Sequence, residues 1–192
     1  MSASHVAGWN ERLLDQLMFH WTIHLRPKLE GLSDDEYFWE PVPSCWSVRR
    51  REAATTSIVM GVGLFVVEVE RSRPEPPPVT TIAWRMVHII VDCLGTRSET
   101  QFGGPAINWQ QYEVPGTADW ALRDLDAAVG IWTAGVRSLG AEGLERPSGP
   151  TEGPFADQSV AGLVLHIHRE VIHHGAEILL LRDLYRSRES TV

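Results

Sequence analysis

The stretch "HIHREVIHHGAEILLLRDLYR", residues 166–186, decides how this chain is read. Its first thirteen positions carry four histidines and two glutamates, and the remaining histidines are His5, His20, His24 and His88. Apolar residues recur at the interval of an amphipathic helix with no proline to interrupt them, which predicts a helix over 158–187. On a helix, positions i and i+4 lie about 40° apart on one face. His166, Glu170 and His174 form one such stripe. His173 points about 100° away from His174, and His168 sits nearly opposite the Glu170 face. The cluster therefore cannot converge on a single ion. Only the stripe can, and one helix supplies two ligands more readily than three.

Working outward, three more segments show helical periodicity. Leu13, Leu14, Leu17, Met18, Trp21, Leu25 and Leu29 predict a helix over 9–31, with Pro27 as a kink or break near its end. "TTIAWRMVHIIVDCLGTRSE" opens on threonine caps and predicts a helix over 80–98. A third is predicted over 117–139, ended by Gly140. Residues 40–75 read as a loop region, in which the β-branched 58–70 form a short strand or hairpin. "RSRPEPPPV" is a stiff connector, and "AEGLERPSGPTEGPFADQS", 141–159, a polar Gly/Pro-rich loop. The expected fold is all-α: one antiparallel four-helix bundle spanning 1–192 with a minor hairpin insertion.

With 192 residues, 43% of them hydrophobic, the chain can bury a sizeable core. Its net charge of −8 argues against nucleic-acid and anionic-membrane partners, which need a basic face. Lys28 is the sole lysine, so the positive charge is nearly all arginine. Cys45 and Cys93 are scattered and build no disulfide framework; Cys93, in an apolar stretch, reads as a small core residue. The first residues, "MSASHVAGWNERLLDQL", lack the layout of a signal peptide, and no run of about 18 apolar residues exists to span a bilayer. A cytoplasmic location is expected.

A metal held by the stripe needs a ligand from another helix. His88, in the middle of "WRMVHIIVDCL", is the natural donor, although alone it also fits a hydrogen-bonded core histidine. Two histidines and a carboxylate suit zinc, iron, nickel or manganese and leave coordination positions open. His20 and His24 are a competing i,i+4 pair, read as flanking the apolar face of their helix next to solvent. Asp92, one turn after His88, is placed to bond its second ring nitrogen. Glu177, three residues beyond His174, is a candidate catalytic base or a surface charge. Arg182 and Asp183 end the helix, where an arginine favours the C-terminal dipole. Trp9, Trp21, Trp84 and Trp132 are expected in the core.

Helix four, together with "TTIAWRMVHII" and "LLDQLMFHW", resembles the DinB-like (YfiT-related) superfamily of metal-binding four-helix bundles, over nearly the full chain and in order. That family takes one histidine from its second long helix and an HxxxH pair from its last, often followed by glycine. His88 matches the first, and His174, followed by Gly175, matches the last. Glu170 stands where histidine is commonest. This His plus ExxxH pattern is similar to the mycothiol-dependent maleylpyruvate isomerase branch. The resemblance implies a metal site of His88, Glu170 and His174, zinc foremost, that activates a low-molecular-weight thiol for S-transfer or isomerisation of a small-molecule substrate. Water at the same position would make a hydrolase instead. The contrasting expectation is a non-catalytic bundle braced by its metal. Either way, the resemblance and the apolar surface imply a homodimer.

Overall fold

The computed structural model describes residues 8–72 and 74–188. The first seven positions, part of the stretch read for a leader, lie outside the described residues. The chain folds as a helical bundle with a small sheet inserted between its first and second long helices.

Helix α1 (Trp9–Phe19) runs on through a π turn, His20–Leu25, and a 3-10 turn, Arg26–Leu29, that begins around Pro27. The proline breaks the helix where expected, since it donates no hydrogen bond to the preceding turn. A short α2 (Asp34–Tyr37) follows, capped by Ser33. The second long helix is α3 (Ile82–His88), a π segment Ile89–Gly95, and α4 (Thr96–Phe102). Thr81 caps it by accepting from Trp84 N. Helix α5 (Ala118–Ser138) is capped by Thr117. A short α6 (Ala141–Glu145) and a 3-10 turn, Pro150–Phe155, occupy the stretch expected to be loop. Helix α7 (Val160–Ser187) is capped by Ser159 and carries the histidine cluster.

The first long helix packs against α5 and α7, and α3 packs against the same two. Asn10 donates to the carbonyl of Leu139 while Arg26 pairs with Asp126, so the first helix and α5 run antiparallel. Arg85 meets Glu177 on α7, and Arg97, further along in α4, meets Glu152 in the turn that precedes α7, so the second long helix and α7 are also antiparallel. Leu17, Leu25, Met86, Ile90, Leu125, Trp132, Val164 and Ile178 fill the centre. Of the tryptophans expected there, Trp21 and Trp132 are buried and Trp84 is half-buried. Trp9, in the first turn of α1, is instead 74% exposed.

Residues 40–75 hold more order than one hairpin. Strands β1 (Val48–Arg50), β2 (Ile58–Met60) and β3 (Phe65–Val69) form an antiparallel sheet in the order β1-β3-β2. Glu68, fully buried in β3, accepts from Ser47 N, Thr55 N, the Thr55 hydroxyl and Arg49 Nε. Its charge is satisfied inside the sheet, as burial of a carboxylate demands. The Glu68 carbonyl accepts from Trp84 Nε1 at 2.8 Å and thereby ties the sheet to the start of α3.

Arg182, read as a cation favouring the C-terminal dipole of its helix, is 1% exposed. Its Nε donates to Glu36 at 2.7 Å, and its terminal nitrogens donate to the carbonyls of Lys28 and Glu30. It locks α2 and the end of the first helix onto α7. A position counted as terminal by sequence is thus covered by the turn that joins the first helix to α2. No helix among the described residues is long and apolar enough to cross a membrane.

Candidate metal centre

Two helices build the centre. On α7 the i,i+4 spacing puts Glu170 Oε2 3.5 Å from His174 Nε2. From α3, the His88 ring meets the His174 ring edge-on, centroids 4.9 Å apart. Trp84, anchored by the sheet, stacks on His88 at 5.3 Å and fixes that ring. Donor atoms of His88, Glu170 and His174 lie within 4.8 Å of one another. All three residues are half-buried.

The second nitrogens are already engaged. His88 Nδ1 pairs with Asp92 Oδ2 at 2.8 Å, and the other Asp92 oxygen accepts from Trp109 Nε1 at 2.7 Å. His174 Nδ1 pairs with Glu177 Oε2 at 2.7 Å, and Glu177 also accepts from Arg85. A carboxylate behind each imidazole holds Nδ1 protonated and presents Nε2 as a donor, the arrangement that orients metal-binding histidines. Two ring nitrogens and one carboxylate oxygen suit zinc, iron, nickel or manganese better than calcium or magnesium. A second group, His173, His174 and Glu177, also comes together. Its His173 side chain is 61% exposed, and its Glu177 is already paired with Arg85.

The histidines differ in proton affinity. Burial pushes His88 down, but its bonds to Asp92 and Cys93 outweigh that and bring it up to about 10. Burial lowers His174, with Glu177 opposing and the charge of His88 adding to the fall. Without metal, the pair therefore carries its proton on His88. Metal binding there must displace that proton.

The remaining imidazoles of the described residues stand apart. His168 is 4% exposed, and its Nε2 accepts from Trp132 Nε1 at 3.0 Å, so it is a core residue. His173 faces outward beside Glu177. His20 and His24 have ring centroids 6.2 Å apart and belong to neither group. His166 lies 3.5 Å from Glu170 Oε1, at the edge of the centre. Gly175 lets the first helix come close behind His174: a Cβ there would stand 2.7 Å from Leu25 Cδ2.

Several contributors escaped sequence reasoning. Arg85 lies three positions before His88, on the same helical face, and that spacing is a usable signal for it. Trp109 reaches Asp92 from a loop and gives no such signal. Cys93 is buried as expected, yet its Sγ lies 3.7 Å from His88 Nε2. Five positions along an α-helix it would point about 140° away. The π winding of Ile89–Gly95 turns it toward His88 instead. A cavity of about 150 Å³, lined by His88, Cys93, Arg97, His166 and Glu170, adjoins the centre.

The chain belongs to the DinB superfamily: that family's model matches residues 18–178. No curated protein and no solved structure matches the chain. The match includes all three clustered residues, their carboxylate partners and most of the bundle.

Proposed function

We propose that this chain is a metal-dependent enzyme that uses a low-molecular-weight thiol, of the mycothiol kind, for S-transfer or isomerisation of a small molecule in the cytoplasm. His88, Glu170 and His174 hold one divalent ion, zinc before nickel, iron or manganese. The observation that carries this reading is the convergence of the donors: ligand atoms of His88, Glu170 and His174 lie within 4.8 Å of one another, both Nδ1 atoms are tied to carboxylates, and a cavity opens beside them. When bound, the metal lowers the pKa of a thiol and favours its nucleophilic thiolate. The protein's own part is positional. Asp92 and Glu177 fix the two imidazoles, and Arg85 offsets the charge of Glu177. Glu177 holds His174 and Arg85 through Oε2, a positioning role in this reading.

A bracing role is the second reading, favoured by ligands that come from two facing helices. Cobalt-substituted protein separates the two. Mycothiol and N-acetylcysteine should change the visible spectrum, while N-acetylserine should not. A spectrum indifferent to thiols, with stability lost on chelation, supports the brace. We further propose a homodimer through the exposed apolar faces of the first helix, Phe19 and Ile23, and of α7, Leu180 and Leu184. Sedimentation showing only a monomer at high concentration would remove it.

A further inference from the structure

A cleft of about 600 Å³ lies between the first turns of α7 and the Pro150–Phe155 turn. Its size is that of a small-molecule site. Arg97 and His166 line both this cleft and the smaller cavity at the metal centre, so the two spaces adjoin. Positions 162, 166, 170 and 174 follow one another at i+4 on α7, and this single stripe runs from the cleft floor to the centre.

The lining has two characters. Leu163, Leu165 and Phe155 supply an apolar wall, and Leu165 and Phe155 are 58% and 60% exposed among the described residues. Arg97 and Arg169 supply two positive charges against the single carboxylate of Glu152, in a chain whose net charge is −8. Arg97 is tethered by the Asp92 carbonyl and by Glu152 at 3.4 Å. Its Nε is buried with no acceptor among the described residues. The Arg169 side chain is 70% exposed; its Nη2 donates to His166 Nδ1 at 2.5 Å and lies 3.5 Å from Glu170, which leaves its other guanidinium nitrogens to the cleft.

We infer that this cleft binds a small amphipathic carboxylate, its anionic end at Arg97 and Arg169 and its apolar body along Leu165 and Phe155. The inference rests on the proposed function only in making this molecule the substrate presented to the metal centre. Gly162 supplies a selective block. A Cβ there meets nothing closer than Ser159 Oγ at 3.7 Å, so a larger side chain enters the cleft without disturbing the helix.

Octanoate and octanol are titrated calorimetrically into metal-loaded protein, with metal content measured on the same samples. Octanoate should bind at one site per chain, and octanol at least about tenfold more weakly, the worth of a charge-assisted hydrogen bond. Arg169→Gln and Gly162→Leu should each weaken octanoate by about tenfold at unchanged metal content. No saturable octanoate binding, equal binding of octanol, or indifference to both substitutions would overturn the inference. Octanoate binding in this pattern to protein that retains no metal would uphold the cleft and remove the metal centre.

Discussion

His168 offers the sharpest test of the packing beneath the site. Its Nε2 accepts the Trp132 indole proton at 3.0 Å, and Trp132 is fully buried, so the imidazole must stay neutral in the folded chain. Burial holds it down at about 4, against 6.5 when free. The unfolded chain therefore binds a proton that the folded chain refuses. The stability due to this group is complete above pH 6.5 and drains away as pH falls from 6.5 toward about 4. That interval corresponds to about 3 kcal/mol. Urea denaturation of metal-free protein at several pH values, for wild type and His168→Leu, measures it. The variant starts lower by about 1–3 kcal/mol, because Trp132 loses its acceptor. Its loss of stability between these pH values should be smaller than wild type's by about 3 kcal/mol. Other titrating groups, including the lowered His20 and His174, act in both proteins and cancel in the difference. Parallel losses in the two proteins would refute the assignment of His168 as a neutral core acceptor.

Arg182→Met should cost about 3–5 kcal/mol in the same denaturation assay, since it leaves Glu36 buried without its guanidinium. Adding Glu36→Leu should restore part of that loss; a further loss contradicts the pairing. Asp92→Asn and Glu177→Gln should each weaken metal binding by about 10–100-fold in a competition titration while leaving the three ligands in place. Unchanged affinity in both would mean that the carboxylates do not orient the imidazoles.

The bundle and its metal candidates were legible because helical periodicity reports directly on which side chains share a face. Helices expected over 117–139 and 158–187 are found at Ala118–Ser138 and Val160–Ser187. The same arithmetic separated His173 and His168 from the Glu170–His174 stripe, and Asp92 was placed one turn beyond His88. What stayed hidden depends on departures from that period or on distant contacts. The π segments at His20–Leu25 and Ile89–Gly95 shift every later side chain, which is why Cys93 reaches His88. Arg182 is buried by α2 and the turn before it, elements too short to announce what they cover. Strand β1 and the cleft-forming Pro150–Phe155 turn arise from tertiary pairing in stretches that read as loop.

Metal content per chain tests the central claim most directly. Purified wild-type protein should hold one divalent transition metal ion, most readily zinc, by elemental analysis. His174→Ala, His88→Ala and Glu170→Ala should each lose most of it, since each removes one of three clustered donors. His173→Ala, and the pair His20→Ala with His24→Ala, should keep it, because those rings lie outside the set formed by His88, Glu170 and His174. Metal retained in His174→Ala but lost from His173→Ala or the His20/His24 double variant would contradict the account.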